Sequence, residues 1–211
     1  MMTEHMVYWF AGNNMTLQAT LKKKYTLKDL YFGTVLAFRS LPVMIRNRRK
    51  PVVDAHWIER LMLATTEVNG CDVCSYAHTQ MALKEGFSPE EIEAFLSGSA
   101  AYVKAEEATS ILYAQHVADT MGHPDPVADR TLIETYGSPQ ATVIRSAIHL
   151  MMMGNMSGIP LSALLRRLKG RPYQNSGWGY EVGLLAVQPL VFLIAPIHAL
   201  LDGWLFHRLQ P

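Results

Sequence analysis

The chain has 211 residues, 49% of them hydrophobic, which suffices for one well-buried domain or for a domain with an extension. A formal net charge of +1 excludes a general electrostatic pull toward nucleic acid or anionic membrane. The only two cysteines, Cys71 and Cys74, are too close in sequence to act as a structural staple, because so short a loop restricts the unfolded chain very little.

Taken in order, the opening Met1-Met2-Thr3-Glu4-His5 lacks a basic segment followed by an apolar one, so no secretory signal is expected and a reducing cytoplasm is the expected compartment. Thr26 and Asp29 predict a helix start. Leu30, Val35, Leu36 and Leu41 supply its apolar stripe, and it is expected to end near Pro42 or the basic run Arg46–Lys50. That run reads as a solvated helix end, not as a nucleic-acid patch. Pro51 is expected to open the next helix, with Ile58, Leu61, Met62 and Thr65 at helical spacing and Asn69-Gly70 as its stop. The cysteine segment follows as a helix closed by Gly86. Ser88-Pro89-Glu90-Glu91 then starts a short helix carrying Ile92, Phe95 and Leu96. Further helices are predicted from about Lys104 to Met121, from Asp125-Pro126 to Tyr136-Gly137, and from Ser138-Pro139 onward. Gly154 and Gly158 are expected to interrupt the last of these, and Pro160 to kink or end it, before another helix reaching Lys169-Gly170. Residues 170–177 read as a linker. The absence of alternating apolar patterns makes the expected fold class all-α.

The tail has its own character. Val182 to Leu201 holds no Asp, Glu, Lys or Arg over twenty residues, long enough to span a bilayer. Gln188, Pro189, Pro196 and His198 argue instead for a buried or oligomer-facing helix pair. Trp178, Tyr180 and Trp204 flank the stretch as interface or core aromatics, and His198 and His207 are expected to pack or cap. The expected organisation is a helical domain over 1–170 and an apolar helical extension over 171–211, with membrane contact by the extension the less favoured alternative.

The chemistry concentrates at Asn69-Gly70-Cys71-Asp72-Val73-Cys74-Ser75-Tyr76-Ala77-His78. Cys71 falls at the first turn of its helix, where free N–H groups and the dipole favour thiolate. Cys74 lies one turn on, and His78 one turn beyond that, so the imidazole can exchange a proton with Cys74. A carboxylate on the preceding helix would orient the histidine. Glu59 and Glu67 are the candidates, and Glu59 reaches His78 if the two helices pack as a hairpin. Asp72 would raise the thiol pKa by like-charge repulsion.

The spacing Glu-x11-Cys-x2-Cys-x3-His formed by Glu59, Cys71, Cys74 and His78 resembles the alkyl hydroperoxidase D (AhpD)-like group of the carboxymuconolactone decarboxylase family. Ala77 to Ile92, with Gly86-Phe87-Ser88-Pro89-Glu90-Glu91 at its centre, is similar to that family's helix-loop-helix core. The resemblance is close over about residues 51–100 and looser through Gly137-Ser138-Pro139 to Asn155. It implies an AhpD-like helical bundle that assembles into homo-oligomers, and thiol-dependent reduction of a peroxide substrate without a resident cofactor. By that similarity Cys74 is the attacking thiol, Cys71 its resolving partner, and Glu59 with His78 the proton relay. An external dithiol, such as a lipoyl- or thioredoxin-like protein, would regenerate the pair, and Cys71 is expected to be the more accessible sulfur. Asp72-Val73 stand where AhpD proper has a histidine, so no second relay acting on Cys71 is implied. The decarboxylase branch typically lacks the redox pair and fits less well.

Two other classes use the same residues. Cys71, Cys74, His78 and Glu59 are ligand types that zinc accepts, although no second short ligand motif accompanies them. A redox sensor would instead couple the disulfide to its oligomer or to the tail. His56, Trp57 and Tyr76 could face the site but read better as packed residues. His116, His123 and His149 have no partner at a telling spacing, and Met151-Met152-Met153 reads as core filling rather than a soft-metal site.

Overall fold

A computed structural model describes residues 19–209, with side chains through Leu201. Met1–His5 and the side chains of Trp204 and His207 lie outside the described residues. Those residues form seven helices and no strand: α1 (Leu27–Arg49), α2 (Ala55–Asn69), α3 (Asp72–Lys84), α4 (Pro89–Leu96), α5 (Ala108–Asp119), α6 (Pro126–Leu168) and α7 (Trp178–Leu209). The all-α expectation holds.

Most helix starts follow local cap chemistry. Thr26 and Asp29 form a reciprocal capping box at α1, and Ser88 accepts from the Glu91 N–H at α4 with Pro89 in the first turn. Gly70 ends α2 in the left-handed conformation, φ 69°, which lets α3 begin after a single further residue. The α2–α3 pair is therefore a tight hairpin.

Three expected boundaries differ. Pro51 does not open α2; Asp54 caps it by accepting from the Trp57 N–H. The buried Asn47 amide holds the intervening loop, accepting from Val52 N and donating to Val53 O. The break expected at Gly137 is present, its non-helical backbone (φ 71°, ψ 161°) dividing the 43 residues of α6 into two helical stretches, but the second stretch runs unbroken to Leu168. Gly154, Gly158 and Pro160 stay helical because that stretch is the spine of the core: Gly158, Ile159, Pro160 and Ala163 are all buried, so packing outweighs the proline's missing N–H. Third, the tail is one helix, not a pair, despite Pro189 and Pro196 inside it.

Helix α6 runs beneath α1, α2, α3 and α5, burying Ile144, Ala147, Ile148, Met152 and Ile159. Helix α2 is the second core element, with Leu61, Leu63 and Ala64 buried. Its two buried charges are each partnered. Arg60 donates to Glu91 at 2.9 Å and to Glu107 at 3.0 Å, while Glu59 meets α3. The loop at 170–177 is pinned rather than free. Gln174 N donates to Ala19 O, and Asn175 exchanges hydrogen bonds with the Leu21 backbone.

Among the described residues two helices, α6 and α7, are long and apolar enough to cross a membrane. The apolar window of α6 is 56% buried inside the chain, as a core helix should be; that of α7, Trp178–Leu201, is only 22% buried.

Candidate functional site

The hairpin of α2 and α3 brings the candidate residues together. Cys71 is the N-cap of α3 rather than a first-turn residue: its sulfur accepts from the Cys74 N–H at 3.2 Å, and its carbonyl accepts from Ser75 N. Cys71 and Cys74 are joined as a disulfide, with Cα atoms 5.2 Å apart. The pair sits where the unpaired N–H groups of a helix start favour negative charge on sulfur.

His78, two turns into α3, faces α2, and its Nδ1–H donates to Glu59 Oε1 at 2.7 Å. Both side chains are largely enclosed, 13% and 7% exposed. Because the carboxylate can only accept, this bond places a proton on Nδ1, so that in the neutral imidazole the lone pair is on Nε2. Glu67, the other carboxylate on α2, is drawn away to Lys22 at 2.9 Å.

One expectation is reversed. Cys71 is fully buried and Cys74 is 7% exposed, so Cys74 is the more exposed of the two buried cysteines. The cause is α6, which crosses over the cysteine pair. A Cβ placed on Gly158 would lie 2.6 Å from both sulfurs. Ser162 Oγ lies 4.0 Å from Cys71 Sγ while accepting from Val73 N and donating to Gly158 O. Cys74 Sγ sits 3.6 Å from Gly154 O. Gly158 thus leaves the space in which the disulfide lies against α6, while Gly154 contributes its carbonyl oxygen.

Asp72 is also partnered. The Tyr173 hydroxyl donates to its Oδ2 at 2.7 Å, and the Arg166 guanidinium stacks 4.5 Å from the Tyr173 ring. Burial, with the Asp72 charge beside it, pushes the Tyr173 hydroxyl well above the ordinary phenol range, so it stays a donor. Part of the Asp72 charge is thereby spent on Tyr173 instead of on the sulfurs. Gly154, Gly158, Ser162 and Tyr173 were missed as site residues, and Gly-x-x-x-Gly at 154–158 was the one available signal.

The remaining candidates are elsewhere. His56 Nε2 lies 2.7 Å from Glu85 O and its ring meets Phe87 edge-on, at the far end of the hairpin. Trp57 Nε1 donates to Ser110 in the core, and His116 accepts from Asp125 N. His149 shares a hydrogen bond with Ser40, and His198 with Tyr31. Met151 and Met152 are buried in the core. Among the described residues no three His, Cys, Asp or Glu side chains converge as a metal site. The two sulfurs are bonded to each other and the Nδ1 of His78 is engaged by Glu59, so the four suggested zinc ligands do not form one donor set here.

Residues 46–115 match the model of the carboxymuconolactone decarboxylase family. Over that segment, about a third of the chain, the protein is similar to that family. The family includes AhpD-like members, and the segment contains Glu59, Cys71, Cys74 and His78. The matched segment begins in the last turn of α1 and ends within α5, so α6 and α7 lie outside it. No curated protein and no solved structure matches the chain.

Proposed function

We propose that the protein is a thiol-dependent oxidoreductase of the AhpD type, cycling Cys71 and Cys74 between dithiol and disulfide to reduce a peroxide. The observation that carries this reading is the Glu59–His78 hydrogen bond, 2.7 Å long and enclosed, on the turn following the more accessible cysteine. It supplies a base with a fixed tautomer, which the attacking thiol needs.

In the reduced chain, His78 Nε2 takes the Cys74 proton. The thiolate attacks one peroxide oxygen, the O–O bond breaks, and the alkoxide leaves with a proton returned by the imidazolium. Cys74 is then a sulfenic acid. Cys71, its thiolate favoured by the Cys74 N–H and the α3 terminus, attacks Cys74 Sγ, the S–O bond breaks, and the hydroxide leaves as water by taking up the proton that the Cys71 thiol released, giving the disulfide. The accessibility of Cys74 implies that an external dithiol attacks at Cys74 Sγ and expels Cys71 as thiolate. The second thiol of that reductant then attacks its own sulfur in the mixed disulfide, releasing Cys74.

The test is peroxide consumption coupled to a dithiol reductant such as dihydrolipoamide or reduced thioredoxin. Cys74→Ser should abolish turnover, and Cys71→Ser should stop after one equivalent of peroxide. Turnover retained in Cys74→Ser would sink the reading. A redox sensor is the second reading, favoured by the Tyr173–Asp72 bond that ties the cysteine turn to the loop leading into α7. It predicts no turnover with either reductant and an oligomer size that changes on reduction.

A further inference from the structure

The tail helix is inverted relative to a helix that borders water. Between Val182 and Leu201 all ten exposed positions are Val, Gly, Ala, Pro, Leu or Ile, and they recur every three or four residues as one stripe. Leu193 and Leu200 are 69% and 75% exposed. The polar groups of the same helix turn toward the protein. Glu181 is fully buried on Arg167, Gln188 is half-buried, and His198 shares a hydrogen bond with the Tyr31 hydroxyl of α1. The stripe continues onto α1 through Leu27 and Phe32, both close to half exposed.

We propose that this face docks on an anionic lipid surface, with α7 lying in the plane of the interface. Two observations select lipid over a second protein, and a third selects a helix lying flat over one that spans. The outward stripe is apolar at every position for twenty residues, about 30 Å of helix, with none of the polar rim that surrounds the apolar centre of a protein interface. Its N-terminal end has the chemistry of a headgroup layer. Trp178 is 56% exposed there, the exposed Lys24 ammonium sits 5.1 Å from the Tyr180 ring, and Lys169 and Arg171 are exposed where α6 passes into the loop that leads to α7. The opposite face of α7 is fixed along α1 and α6, so the helix cannot be surrounded by lipid as a spanning segment would be; it can present one side only.

Vesicle flotation of the full chain tests this, using phosphatidylcholine vesicles with and without a quarter of phosphatidylglycerol. The wild type should float with the anionic vesicles, and Leu193→Glu/Leu200→Glu should lower partitioning about tenfold or more while far-UV circular dichroism is unchanged. Lys24→Glu/Arg171→Glu should weaken binding to anionic vesicles only, and raised salt should mimic it. Failure of the wild type to float, flotation unaffected by Leu193→Glu/Leu200→Glu, or self-association that the same pair of substitutions abolishes without any flotation would each overturn the proposal.

Discussion

At Gly158 the backbone of α6 touches both sulfurs, and this one residue decides how closely the core can approach the disulfide. An added methyl would sit 2.6 Å from each sulfur, so Gly158→Ala must push α6 or the cysteine turn aside. The expected cost is about 1–3 kcal/mol in urea unfolding of the oxidised chain, as for other overpacked cores. Glu59→Gln should act differently. The amide can still reach His78 but no longer fixes the tautomer or stabilises the imidazolium, so peroxide turnover should fall about 10²-fold with little loss of stability. Its pH–rate profile should move as well, which a purely structural lesion would not cause. Glu59, Cys71, Cys74 and His78 were legible in the sequence because one helix hairpin of twenty residues contains them all. Ser162, Gly158 and Tyr173 were not, since they come from more than 80 residues away and only tertiary packing brings them in. The accessibility of Cys71 was misjudged for the same reason: helix position alone exposes it, and α6 covers it.

At the scale of elements, cap chemistry is the legible part. Thr26, Ser88, Asp125 and Gly70 sit where local sequence places them. Proline was the misleading signal, because Pro51 lies in a loop while Pro160 is accommodated within a buried helix. A pair of substitutions separates the two possible starts of α2. Asp54→Ala removes the acceptor for the Trp57 N–H and should cost about 1 kcal/mol. Pro51→Ala, in an exposed loop, should change stability by no more than about 0.5 kcal/mol. Denaturant midpoints of the two variants give the comparison directly. The length of α6 was not legible, because what holds Gly154 and Pro160 helical is contact with α1, α2 and α3, which no local pattern encodes.

At the scale of the molecule, stability at acid pH turns on a histidine outside the candidate site. Burial, with the Arg145 charge adding to it, pushes His149 down to about 4, between α6 and Ser40 of α1. The unfolded chain then binds this proton more readily than the folded one, so the contribution of His149 is intact above about pH 6.5 and is lost as pH falls toward 4. Between pH 7 and 4.5 that loss is about 2–3 kcal/mol in urea unfolding, and His149→Gln should show a correspondingly shallower decline over the same interval. The seven helices otherwise divide their work. The segment matched by the family model carries the Glu59–His78 pair and the sulfurs, α6 packs over the disulfide at Gly158, and α7 presents the apolar face outward. The most direct test of the redox account is mass-spectrometric mapping of the reduced chain after one equivalent of peroxide, on wild type, Cys71→Ser and Cys74→Ser. The account predicts a Cys71–Cys74 disulfide in wild type, sulfenic acid on Cys74 in Cys71→Ser, and no fast modification in Cys74→Ser. Sulfenic acid forming on Cys71 in Cys74→Ser as fast as on Cys74 would contradict it.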